Sequence, residues 1–237
     1  MKYKGFLLAT AGGVATMSGA QAADLPVKAA RVTPAVASWE GWYLGLNAGV
    51  ANQTSQYDPY YGSYANNQGK IGFIGGGQIG YNWQRGSYVY GLEADISGLT
   101  GKTIAPPLSG AVGKGNGFEG QITWLSTFRA RAGWLINSET LLYATGGLAV
   151  GGVKNSFDFN GLGATPSVAK SVSRTKAGWV IGGGLETMVN RNWTLGLEAL
   201  YVDLGSTSAS TDHGFGTKTT TFKNQAVIAR AKLNYKF

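Results

Sequence analysis

Glu93 and Asp95 stand two residues apart, and Arg129 and Arg131 repeat that spacing further along the chain. Two carboxylates so placed could share general acid–base work. With two arginines in the next patterned stretch, ion pairing explains both sets more simply. The single histidine, His213, follows Asp212 in a polar stretch, and one such pair is a weak basis for a metal site or for proton transfer. A Ser-His-Asp arrangement would need a further positioned partner, and no residue pattern supplies one. Gly75 to Gly80 fits G-x-G-x-x-G, but it lies inside an alternating segment and no helix pattern follows it. Gly101-Lys102-Thr103 looks like the end of a phosphate-binding loop, yet the first glycine of that motif would fall on Ile96. Cysteine is absent, which excludes disulfides and thiolate metal sites. The expectation is no catalytic residue, no metal, no cofactor and no enzyme.

The elements that carry these charges read as strands. Val227 to Phe237 alternates strictly, with Val227, Ala229, Ala231, Leu233, Tyr235 and Phe237 on one face and Arg230, Lys232, Asn234 and Lys236 on the other. Seven earlier segments show the same period: 42–50, 73–83, 88–96, 122–134, 142–150, 179–189 and 193–201. In 122–134 the apolar face is read as Ile122, Trp124, Phe128, Ala130, Ala132 and Trp134. The links between segments alternate in length. Those at 84–87, 135–140 and 190–192 are tight, and those at 51–72, 97–121, 151–178 and 202–224 are long and rich in Gly, Ser, Thr and Asn. Short turns at one end and long loops at the other predict an all-β fold, an eight-stranded antiparallel transmembrane β-barrel. A soluble sandwich has no reason to sort its loops this way. The chain after its first segment has no apolar run of about 18 residues, so no transmembrane helix is expected.

Met1 to Lys4 is basic, Gly5 to Met17 is apolar and small, and Ala20-Gln21-Ala22 is a small-x-small cleavage site. Residues 1–22 are therefore expected to be a signal peptide, 23–40 a periplasmic linker and 41–237 the barrel. Loss of Lys2 and Lys4 would leave +6 of the net charge of +8. The basic residues are scattered and form no dense stripe, which argues against a nucleic-acid partner and fits attraction to an anionic surface.

The tryptophans offer a separate test. Trp42, Trp83, Trp134 and Trp193 fall at the short-turn ends, Trp124 and Trp179 at the opposite ends, all on apolar faces. Trp124 and Trp134 are ten residues apart on one face. At about 3.3 Å per residue and a tilt near 40°, that spacing rises about 25 Å, the height of a lipid-facing band between aromatic girdles. The other faces carry Glu93, Asp95, Arg129, Arg131, Glu186, Glu198, Arg230 and Lys232, four acids and four bases. Inside a narrow barrel they must pair. Glu93 and Asp95 would meet Arg129 and Arg131, Glu198 would meet Arg230 or Lys232, and Glu186 would join that second cluster. The pairs form either a plug that fills the lumen or a narrow polar conduit.

Several stretches together resemble a known group: Ala23-Asp24-Leu25-Pro26, Trp42-Tyr43-Leu44-Gly45, Leu142 to Ala149, Gly182 to Glu186, Glu198 to Gly205 and the terminal Tyr235-Lys236-Phe237. The chain is similar to the small OmpA-like outer-membrane barrels, and among them to the porin-family surface antigens of alphaproteobacteria. That resemblance implies an abundant protein of the Gram-negative outer membrane with a role in envelope integrity and surface contact. It implies outer-membrane lipid and lipopolysaccharide as surroundings, and barrel-assembly machinery that reads Leu233, Tyr235 and Phe237. Lys232 departs from it, standing where a glycine is common. Two further functions stay open: a narrow porin-like channel, and an adhesin that meets a host surface ligand through the loops, with Tyr57, Tyr60, Tyr61 and Tyr64 as a contact patch.

Overall fold

The computed structural model describes residues 38–57, 71–101, 103–105, 117–159, 168–212 and 217–237. The signal segment, most of the linker, three of the four loop tyrosines and His213 lie outside the described residues. Among the described residues all regular structure is strand: β1 (Gly41–Tyr57), β2 (Ile71–Arg85), β3 (Tyr88–Leu99), β4 (Thr103–Ala105), β5 (Gly117–Asn137), β6 (Thr140–Phe159), β7 (Val168–Met188), β8 (Trp193–Asp212) and β9 (Thr217–Lys236). Eight form a closed antiparallel wall in chain order, with β3 pairing β5 and β9 pairing β1. The ninth, β4, resumes the line of β3 along the upper part of β5. Closure is set by matched alternation, Leu46 opposite Leu233 and Ala48 opposite Ala231, and the Phe237 N–H donates to the Trp42 carbonyl at 3.1 Å.

The period-two pattern decides which way each side chain faces. In β3, Val89, Glu93, Asp95 and Leu99 are buried in the lumen, while Tyr88, Tyr90, Leu92 and Ile96 are exposed. The inside-out distribution holds around the barrel: Leu46, Leu148 and Leu197 are each more than 65% exposed, and Arg129 is 0%. G-x-G-x-x-G is a piece of β2, with Gly75 and Gly77 facing out and Gly80 in.

Two expectations change. The strands are longer than the alternation suggests: β5 to β9 run 20 or 21 residues each, where about 9–11 suffice to cross a bilayer. Most of the stretches at 151–178 and 202–224 are strand, and β1 runs on to Tyr57 within 51–72. Beyond the lipid band both faces meet water, so the contrast between faces fades while the backbone ladder goes on. The second change is Ile122, which does not share the outer face with Trp124. Ile122 pairs with Val153 and Trp124 with Gly152, so Thr123 is an extra residue. This bulge turns Ile122 inward, where it is 3% exposed.

A sealed ion network as the candidate functional site

The lumen is layered. At the short-turn end the chain enters through Ser38, Trp39 and Glu40. Trp39 is buried against Val89, Leu141, Tyr143 and Met188, with Leu135 beside them. Its backbone N–H donates to Gln84 Oε1 at 2.7 Å and its indole Nε1–H to the Ser138 carbonyl at 3.4 Å. It thus reaches from the β2 end to the β5–β6 turn and floors the barrel. Lys236 Nζ holds the strap by donating to the Ser38 carbonyl at 2.5 Å and the Glu40 carbonyl at 3.2 Å.

Above this floor all eight charges meet. Arg129 bonds Glu93, Asp95 (3.0 Å) and Glu198 (3.1 Å). Arg230 reaches Glu198 at 2.7 Å and Asp95 at 3.1 Å. Lys232 Nζ lies 2.6 Å from Glu93 and 3.5 Å from Glu198. Arg131 pairs with Glu186 at 2.7 Å and lies 3.6 Å from Glu93, its guanidinium 4.1 Å from the centre of the Tyr143 ring. Among the described residues Arg131 forms no ion pair with Asp95. Two clusters were expected; the structure has one, because Arg129–Glu198, Arg230–Asp95 and Lys232–Glu93 cross a bore narrow enough for side chains to span. Glu186 joins through Arg131, and also accepts from Thr194 at 2.5 Å and Asn234 at 2.8 Å.

Tyrosines complete the acids' shells. Tyr43 donates to Glu93 at 2.7 Å and Tyr143 to Glu198 at 2.9 Å. Inward glycines make room for them: a methyl on Gly80 would lie 2.3 Å from Tyr43 Cζ, and one on Gly184 would lie 2.7 Å from the Tyr143 hydroxyl. A relay of amides runs on, Asn234 to Gln78 (2.6 Å) to Asn47 (2.8 Å), with Ser97 donating to Asn47 at 3.1 Å.

Toward the long connections the lumen becomes apolar. Ile74, Leu99, Leu125, Val180, Leu200, Leu204 and Ile228 belong to one buried cluster. Gln53 spans this level, accepting from the Ile122 N–H at 2.8 Å. A neutral set of four acids and four bases therefore lies between two apolar layers. Burial strengthens each ion pair and makes a broken one expensive, about 3–5 kcal/mol.

On the outside, Trp42, Trp83, Trp134 and Trp193 are exposed near the turns. Trp193, Tyr235 and Phe237 pack edge to face, with centroids 5.2 and 5.3 Å apart. At the other rim Trp179 packs on Tyr201 at 5.4 Å, and Trp124 lies over Gly152. Leu233 and Tyr235 on β9, and Phe237 just after it, are exposed on the outer side.

Sequence reasoning missed Trp39, the seventh tryptophan, because it precedes the first alternating segment. It also missed the apolar upper layer. The signal was present: the parity that places Arg230 inside places Ile228 inside, and Glu198 likewise implies Leu200, Val202 and Leu204.

Comparison with known proteins agrees with this architecture. A family model described as an outer membrane protein beta-barrel domain matches residues 6–237. The 31 kDa outer-membrane immunogenic protein of Brucella melitensis is 38% identical over 213 residues, 84% of each chain. The 22 kDa outer membrane protein of Rhizobium leguminosarum is 36% identical over 195 residues, 81% of this chain and 74% of that protein. Among solved structures, Neisserial surface protein A aligns over 83% of this chain and 97% of its own, at 16% identity and a TM-score of 0.43. The chain is a protein of the outer membrane and belongs to the outer-membrane β-barrel family of small surface-antigen proteins.

Proposed function

We propose that this barrel is a closed, rigid member of the outer membrane that holds its long strand hairpins out at the surface, and that it neither conducts solutes nor catalyses a reaction. The observation that carries this reading is the layered lumen, with a neutral ion network closed below by Trp39 and above by the apolar cluster. An ion entering from either end would first cross a layer of mainly apolar side chains, which replace little of its hydration, at a free-energy cost of several kcal/mol. The lumen carboxylates are held by cations and hydroxyls, so none is presented to a substrate. The word immunogenic in the name of the Brucella relative describes that protein, and it supports outward exposure of the corresponding connections here. Residues 1–22 would direct export, Leu233, Tyr235 and Phe237 would be read by the assembly machinery, and the long connections would meet lipopolysaccharide and any host ligand.

The test is electrical. The refolded barrel in a planar bilayer should pass no stepwise current. Steady steps whose size changes in Glu93→Gln or Arg129→Gln would overturn the closed-barrel reading in favour of a narrow channel.

A further inference from the structure

Strands β7 and β8 part company halfway up the wall. Their register runs from Met188 opposite Thr194 to Trp179 opposite Asp203 and stops. Neither strand ends there: β7 stays on β6 as far as Val168, and β8 stays on β9 as far as Asp212. At the upper end of every other seam between successive wall strands the ladder runs to within a residue of the end of the shorter strand.

The cause is local. Asp203 faces Gln225 and Ser206 faces Lys223, so Leu204 and Gly205 oppose the single Asn224. Gly205 has a φ of +70°, which favours glycine. Asp203 Oδ1 accepts from the Gly205 N–H at 2.7 Å, and Oδ2 accepts from Gln225 Nε2 at 3.0 Å. A bulge of this kind bends its strand and increases the twist, which carries β8 and β9 away from β7. Across the gap Lys176 Nζ donates to the Ser206 carbonyl at 3.1 Å. That carbonyl is turned toward β7 and meets a side chain where a ladder would supply a backbone N–H.

We infer that this opened seam is a strand-addition site, in which an extended acidic peptide lies along the edge of β7 between Ser173 and Ala177. An open strand edge is a template for another strand. The edge sequence selects the partner: 173–177 contains Arg174 and Lys176 and no acid. A second copy of this edge would be repelled, and a strand carrying Glu or Asp would be attracted. Ser173, Arg174, Thr175 and Ala177 are exposed, and they precede Trp179, the aromatic of the upper rim, so the edge stands clear of the lipid band. The inference does not depend on whether the lumen conducts.

The experiment uses the full barrel in detergent micelles and a short, end-blocked, dye-labelled peptide that alternates valine with glutamate. Fluorescence polarisation should show saturable binding. The same peptide with alternate backbone amides methylated, and a valine–lysine version, should each bind at least about tenfold more weakly. The double variant Arg174→Glu/Lys176→Glu, checked for folded mobility on gels, should reverse the preference between the glutamate and lysine peptides. Equal binding of the methylated peptide would reduce the site to a patch for any polyanion and overturn the inference, as would no binding or an unchanged preference. The outward placing of this edge is checked separately. The chain has no cysteine, so an Arg174→Cys variant on intact cells should react with an impermeant maleimide. Labelling without peptide binding counts against the site itself; absence of labelling removes its access to any outside partner.

Discussion

Arg129 holds three carboxylates at once, on β3 and β8, and is completely buried. Arg129→Glu would leave Glu93, Asp95 and Glu198 short of a cation and add a fourth acid to them. The folded barrel should lose at least about 3–5 kcal/mol, seen as a lower urea midpoint of tryptophan fluorescence in micelles. Exchanging both partners, Glu93→Arg with Arg129→Glu, should recover part of that loss, because the two face each other in register. Recovery should be incomplete, since the new acid at 129 would still face Asp95 and Glu198. An unchanged midpoint in the single variant would mean that the network contributes nothing to stability. The Glu93–Arg129 pair was legible in the sequence because parity and strand order place both residues on facing positions of neighbouring strands. Arg230 with Asp95, 135 residues apart, was not, because only the bore of the closed barrel brings them into reach.

Strand order and facing were readable from alternation, and strand ends were not. Alternation records a difference between lipid and lumen, and it fades where β8 and β9 rise into water although their ladder continues from Ser206 opposite Lys223 to Asp212 opposite Thr217. The bulge at Thr123 was hidden for a different reason: Ile122 is apolar, and an apolar residue suits the outer face and the upper lumen equally. Trp39 escaped because a plug needs no period. Its removal should be felt through packing. Trp39→Ala leaves Leu141 and Met188 without their central contact and should lower stability by about 3–5 kcal/mol. Lys236→Met removes only exposed hydrogen bonds to the strap and should stay within about 1 kcal/mol. A Val89→Cys reporter, buried in the same cluster as Trp39, should resist a water-soluble thiol reagent in the parent barrel and react once Trp39 is alanine. Equal reactivity in both would show that Trp39 does not close this end.

At the scale of the whole molecule, solvent exposure reverses its usual meaning. Leu197 is 67% exposed on β8, between Trp193 and Tyr201 on the same face. In a water-soluble domain such a leucine would tolerate arginine within about 0.5 kcal/mol. Here that face meets hydrocarbon, and an arginine near the midplane costs about 2–4 kcal/mol. Thr175, exposed on β7 four residues above Trp179, lies beyond the band, and Thr175→Arg should stay within about 0.5 kcal/mol. The two variants add the same charge to exposed positions on one wall, so depth alone separates them. Urea titration in lipid vesicles should show a large drop for Leu197→Arg and almost none for Thr175→Arg. Equal, small effects would mean that the apolar belt does not face lipid. A large effect at Thr175 would place the band higher on the wall and bring the opened β7 edge into the membrane, out of reach of any peptide in water.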